Sequence, residues 1–144
     1  MKYFIVILAA VVLAQAADDD WVPKTPEEFN AIRRECHKEF PFSKELQKQE
    51  DNLDFSDDET VRKYEVCVFR KWGIIDAEDN FHGERLVKQF DAVLDEVENI
   101  EQKVNNCVDK NEQGSPIDVY ASRIQRCIDK TDIAPNLLKV IGKL

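Results

Sequence analysis

Residues 56–73 constrain this chain more than any other stretch: Ser-Asp-Asp-Glu-Thr-Val-Arg-Lys-Tyr-Glu-Val-Cys-Val-Phe-Arg-Lys-Trp-Gly. Ser56 with Glu59 three residues on has the pattern of a capping box, and Asp57 and Asp58 suit the positive end of a helix dipole. Val61, Tyr64 and Val68 recur on one face at helical spacing. Arg70 and Lys71 suit the negative end, and Gly73 supplies the stop. Cys67, one of four cysteines in the chain, falls near the centre of this helix. Whatever Cys67 is bonded to is thereby held against a helix.

The compartment follows from the first sixteen residues. Met1-Lys2, an apolar run from Tyr3 to Leu13, and Ala14-Gln15-Ala16 form the three parts of a secretory signal peptide. Residues 1–16 are therefore expected to be removed, leaving one domain over 17–144, secreted and extracellular. The run is too short to span a bilayer, and no other long apolar run follows, so no stable membrane insertion is expected. The formal net charge is −9, and a chain this acidic repels nucleic acid and anionic membrane surfaces. Four cysteines in a secreted chain of this size imply two disulfides, for which three connectivities are open. A metal site is not expected: no cysteine pair is closely spaced, and His37 and His82 lie far apart.

Helix signals dominate the rest. Thr25-Pro26-Glu27-Glu28 is a cap, a proline at the first helical position and acids, followed by Phe29, Ile32, Arg33 and Cys36 at helical spacing. Phe40-Pro41 ends that helix. A short polar helix is expected from Ser43 to about Leu53. After the acidic loop 74–80, a helix runs from about His82 to Phe90, with Leu86, Val87 and Phe90 inward. Asp95 and Glu98 predict a new cap after a break near 91–95, and the apolar pattern then continues through Val97, Ile100, Val104 and Cys107. Asn111-Glu112-Gln113-Gly114 is a turn. Ser115-Pro116-Ile117-Asp118 opens a helix carrying Ile117, Tyr120, Ile124 and Cys127, and Pro135 interrupts or begins the last element. Leu137, Leu138, Val140, Ile141 and Leu144 form a final apolar stripe. With four glycines, five prolines and no sustained alternation, the chain reads as all-α, about six or seven short helices.

Catalytic motifs are missing. There is no Gly-x-Ser-x-Gly elbow, no His-Glu-x-x-His and no phosphate-cradling glycine loop, and neither histidine has a catalytic context. Asp54, Ser56, Asp58 and Glu65 match part of a calcium loop, but Glu59 stands where the glycine belongs. Asp109, Asn111, Gln113 and Gly114 match part of another, but Tyr120 replaces the closing acid and Pro116 breaks the loop. The expectation is a protein that is not an enzyme and uses no cofactor.

The cysteine intervals carry more. Cys36, Cys67, Cys107 and Cys127 are separated by 30, 39 and 19 residues. Together with the leader, the acidic helical chain, Cys-x-x-x-x-Trp-Gly-Ile-Ile-Asp at 67–76 and Asp-Lys-Asn-Glu-Gln-Gly-Ser at 109–115, this resembles insect odorant-binding proteins nearly end to end. The four-cysteine, or "Minus-C", subgroup is the nearest form. The resemblance implies Cys36–Cys67 and Cys107–Cys127 pairing. It places Lys63 and Asp118 where the six-cysteine form has its additional bridge, and their opposite charges suggest a salt bridge in its stead. It further implies a compact bundle around an internal apolar cavity. That cavity would carry odorants, pheromones, fatty acids or similar molecules through aqueous fluid, with a chemosensory receptor or other extracellular partner.

On that reading the ligand-binding candidates are Phe69, Trp72, Phe81, Leu86, Phe90, Leu94, Val97, Tyr120, Ile124, Leu138 and Ile141, with about half expected to be ordinary core. Tyr120 or Trp72 is a candidate for an oriented hydrogen bond to a ligand. The C-terminal stripe is expected to fold back over the bundle as a wall. The competing reading is a secreted storage or protein-interaction protein whose core is filled.

Overall fold

The computed structural model describes residues 20–142; the expected signal segment 1–16 and Leu144 lie outside the described residues. Seven α-helices are found among the described residues, and the only extended pairing there is one isolated antiparallel bridge, Ile75 with Phe81. They are α1 (Pro26–Glu39), α2 (Lys44–Asp51), α3 (Glu59–Trp72), α4 (Gly83–Val93), α5 (Ile100–Cys107), α6 (Ile117–Ile128) and α7 (Ile133–Val140).

Local chemistry explains most of the boundaries. The capping box of α1 forms: Thr25 Oγ1 accepts from the Glu28 amide at 3.2 Å, and the Glu28 carboxylate accepts from the Thr25 amide at 2.8 Å. Ser43 caps α2 by accepting from Leu46 N. The start of α3 differs from expectation. Asp58, not Ser56, is its cap, with Oδ1 accepting from the Thr60 and Val61 amides at 2.7 and 3.3 Å. Aspartate ranks with serine as a cap, and Asp57 instead faces Arg62 and Arg126.

Two other expected caps do not form. Asp95 and Glu98 are exposed in the connection 94–99, and Asn99, in the left-handed region at φ 55°, precedes α5. The connection is held instead by Leu94 and Val97, which are buried. Pro116 occupies the cap position of α6 and has no acceptor side chain, which leaves Ser115 one residue outside the cap, its hydroxyl accepting from Arg123 at 3.2 Å. Pro135 lies in the first turn of α7, where its missing N–H costs no helix hydrogen bond.

The apolar faces assemble around α3, which packs against α1 on one side and α6 on another. Helix α5 packs against both α4 and α6, and α7 reaches α4. Cys36–Cys67 ties α1 to α3 and Cys107–Cys127 ties α5 to α6, the pairing that the family resemblance implies. The expected Lys63–Asp118 pair is replaced. Asp118 accepts from Arg62 Nε at 3.2 Å, while Lys63 pairs along its own helix with Glu59 at 2.6 Å. A one-residue step along α3 turns the side chain by about 100°, which swings Arg62 rather than Lys63 toward α6.

Gly73 is required twice over. It ends α3 at φ 80°, and a Cβ there would stand 2.8 Å from the indole of Trp21. Trp21 donates its indole N–H to the Trp72 carbonyl at 2.9 Å. The buried Gln89 completes the clamp: its Oε1 accepts from the Trp72 indole at 2.8 Å and the Lys24 amide at 2.7 Å, and its Nε2 donates to the Lys24 carbonyl. One amide thus fastens the N-terminal arm, α3 and α4 together.

The bridges span 31 and 20 residues of sequence, so the chain-entropy model assigns each about 3–4 kcal/mol. Paired substitution of Cys107 and Cys127 by serine is expected to lower the unfolding free energy by about that amount, read by denaturant titration. A loss below about 1 kcal/mol would mean that α5 and α6 are held by packing alone.

Candidate functional site

Between α1, α3, α6 and α7 lies a pocket of about 90 Å³. Its apolar wall is built from Phe29 on α1, Val68, Phe69 and Trp72 on α3, Phe90 on α4, and Ile128 at the end of α6. Helix α7 adds Ala134, Leu137 and Leu138, with Ile141 just beyond it, while Leu53 and Phe55 come from the segment before α3. Leu53, Phe55 and Leu137 are only partly buried, which makes them the part of the wall nearest solvent. The rings of Phe29 and Trp72 meet at 4.6 Å, and Phe69 stacks on Trp72 at 6.1 Å. That aromatic cluster gives the wall its stiff side.

Two polar groups interrupt the apolar lining, and they differ in kind. The first is satisfied. Arg33 on α1 pairs with Glu50 on α2 and donates to the Tyr64 hydroxyl, and Tyr64 in turn donates to Glu50 at 3.3 Å. Burial works against the Arg33 charge, but Tyr64 and Glu50 outweigh it and hold its pKa above the ordinary value. His37 stacks on Tyr64 at 4.3 Å and reaches Glu50 at 3.2 Å, which closes the network.

The second group is not satisfied. Glu65 on α3 is 4% exposed, and neither of its carboxyl oxygens has a hydrogen-bond partner. Asp129, at the end of α6, accepts from Gln125 Nε2 at 2.7 Å through one oxygen, while its other oxygen is buried and unpartnered. Burial pushes the Glu65 carboxyl up to about 7; the Ser122 hydroxyl eases that shift but makes no well-aligned hydrogen bond, and the neighbouring Asp129 adds to it. Burial likewise pushes Asp129 up to about 7, against a smaller opposing effect from Gln125.

Of the sequence candidates, Phe69, Trp72, Phe90, Leu138 and Ile141 line this pocket. Leu86, Leu94, Val97 and Ile124 are buried in the core away from it. Phe81 and Tyr120 pack edge to face at 5.8 Å near the turn after α5. The Tyr120 hydroxyl donates to the Asp109 carbonyl, and the Trp72 indole N–H is spent on Gln89. The single donor of Trp72 is therefore used within the chain, while the Tyr120 hydroxyl has used its proton and keeps acceptor capacity.

Sequence reasoning missed Phe29, Val68, Leu53, Phe55, Ile128 and the polar members. For Glu65 a signal existed: it lies four residues after Val61 and three before Val68, within the buried stripe of α3. Leu53 and Phe55 carried none, because nothing periodic marks a connecting segment. The two calcium-loop matches dissolve in the fold. Asp58 caps α3 and Glu65 is buried, while Asp109 is engaged by Arg123 at 2.8 and 3.1 Å.

Comparison with known proteins agrees along most of the chain. The PBP/GOBP family model matches residues 18–131. General odorant-binding protein 99a of Drosophila melanogaster is 33% identical over 135 residues, covering 93% of this chain and 93% of that protein. Odorant-binding protein 22 of Aedes aegypti is 27% identical over 134 residues, covering 93% and 94%. General odorant-binding protein 99b of Drosophila melanogaster is 27% identical over 116 residues, covering 76% and 78%.

The two buried acids make stability depend on pH with a definite sign. An acid whose folded pKa is raised contributes stability that is full below its unfolded pKa and is lost as pH rises through the folded value. The melting temperature is therefore expected to fall as pH rises from about 5 to about 8. Glu65→Gln, which keeps the shape and removes the charge, should flatten that slope and be more stable than the parent at the alkaline end. Thermal melts across the range check this; a variant slope equal to the parent's would mean that Glu65 does not titrate there.

Proposed function

Because the chain belongs to the PBP/GOBP family, we propose that this protein is a secreted carrier that binds a small hydrophobic molecule reversibly and without changing it. The observation that carries this reading is the pocket itself. An aromatic and aliphatic wall drawn from α1, α3, α4, α6 and α7 surrounds space that the core side chains do not fill. The leader 1–16 would direct the chain to extracellular fluid, with the mature protein beginning at Ala17. Transfer of cargo to a chemosensory receptor or another extracellular partner is the onward step of the same reading.

The present volume sets a condition. At about 90 Å³ the pocket is smaller than most small-molecule sites, which run to roughly 300 Å³ or more. Cargo must push part of the wall outward. The partly buried Leu53, Phe55 and Leu137 are the side chains that can give at least cost, since they have least packing to lose. A ligand burying a few hundred Å² of apolar surface gains roughly 25 cal/mol per Å² before the costs of ordering and of moving the wall. Micromolar affinity is the scale this permits.

Displacement of a fluorescent apolar probe by long-chain alcohols, esters and fatty acids tests the reading. Displacement by at least one class is expected, and failure of all of them would favour a storage or interaction protein with a closed core. Truncation after Ile133 removes Leu137, Leu138 and Ile141 from the wall. It is expected to weaken probe binding by about tenfold or more, while circular dichroism loses little beyond the eight-residue α7. Unchanged affinity in the truncated protein would remove α7 from the site.

A further inference from the structure

Glu65 is the one feature of the pocket that packing does not explain. A buried carboxyl ordinarily has a partner, because leaving it without one costs more than any hydrogen bond contributes. Here both oxygens of Glu65 and one of Asp129 are buried and unpartnered, and both side chains line the pocket. We propose that Glu65, with Asp129 beside it, is an acidic anchor for the head of an apolar ligand, and that the pocket takes lipophilic primary amines ahead of lipophilic acids. The inference rests on the carrier reading and adds to it the chemistry of the cargo.

The donor and acceptor inventory favours that choice. The three orphan oxygens are all acceptors when the acids are ionised, and an ammonium carries three donors on one atom. Its charge also offsets the repulsion between the two carboxylates, which no neutral head group does. The charged groups around Glu65 are Arg62 on its own helix and Arg126 and Asp129 on α6. Arg62 is engaged by Asp57 and Asp118, while Arg126 stands 3.2 Å from Asp57 with its buried Nη1 making no aligned hydrogen bond. From α7 the pocket receives only apolar side chains.

A carboxylate head would need a cation, and among the described residues the one that lines the pocket is Arg33. Arg33 is already paired with Glu50, which is 6% exposed. A fatty acid bound there would compete with a buried acid for its guanidinium while standing in the same pocket as Glu65 and Asp129. Each term is unfavourable, so an ionised acid is the poorest of the common head groups for this site.

The test compares octylamine, 1-octanol and octanoate as competitors for a neutral fluorescent apolar probe on the disulfide-bonded protein. Salt is kept high enough to screen the acidic surface. At about pH 8 octylamine is expected to bind about tenfold or more tighter than octanoate, with 1-octanol between them. The gap should narrow as pH falls toward about 5.5, where Glu65 and Asp129 take up protons. Glu65→Gln and Asp129→Asn should each shrink the amine preference to threefold or less, with circular dichroism showing each variant folded. Octanoate binding as tightly as octylamine to the parent would overturn the anchor, as would an undiminished amine preference in folded Glu65→Gln. Should either variant fail to fold, the pH series on the parent decides: an amine-to-acid ratio that is constant with pH overturns the proposal. No displacement by any of the three competitors would instead overturn the carrier reading beneath it.

Discussion

The architecture depends on α3 being covered from more than one side. A helix packed on one neighbour needs an apolar stripe, and its remaining surface can be polar. A helix gripped by α1 through one disulfide and by α6 across another face has too little solvent-facing surface for all its polar residues. Seven of its fourteen residues are buried, and Glu65 and Tyr64 are among them. The polar groups that α3 brings to the pocket follow from that crowding. Tyr64 is drawn into the Arg33–Glu50 network on the α1 side, and Glu65 is carried into the space between α3 and α6.

Buried polar groups therefore fall into two populations with different physical roles. Gln89 and the Arg33–Glu50–Tyr64 cluster have partners on other elements, so they fix the angles at which the N-terminal arm, α1, α2 and α4 meet α3. Such networks are specific because each partial loss exposes a buried donor or acceptor. Glu65, Ser122 and Asp129 contain oxygens that nothing satisfies. They destabilise the folded chain and fix no geometry. A small domain retains that kind of cost most readily where something outside the chain meets it.

Much of this fold was legible in the sequence because it was written in local chemistry. The Thr25 box, Gly73 and the turn at Asn111 act within a few residues, and each forms where expected. The caps that failed had competitors that the sequence does not reveal. Asp58 stood as near to α3 as Ser56 did, and Pro116 took the cap position of α6 ahead of Ser115. The pocket was less legible for a geometric reason. Helical spacing says that Phe69, Leu86 and Ile124 face inward, but not which inward direction is filled. Leu86 and Ile124 close on neighbours, while Phe69 borders the space. Apolar identity is the same in both places, and only the mutual angles of seven short helices separate them.

The indole arrangement has an optical consequence. The chain contains two tryptophans, and both stand at the C-terminal end of α3, joined through the Trp21 N–H and the Trp72 carbonyl. Trp72 is also part of the pocket wall, 4.6 Å from Phe29 and hydrogen-bonded to a buried amide. The intrinsic emission of the protein thus originates from one small region that touches the cargo space directly. A molecule entering the pocket changes the dielectric around Trp72, while Trp21, packed against Gly73, stands outside the pocket lining.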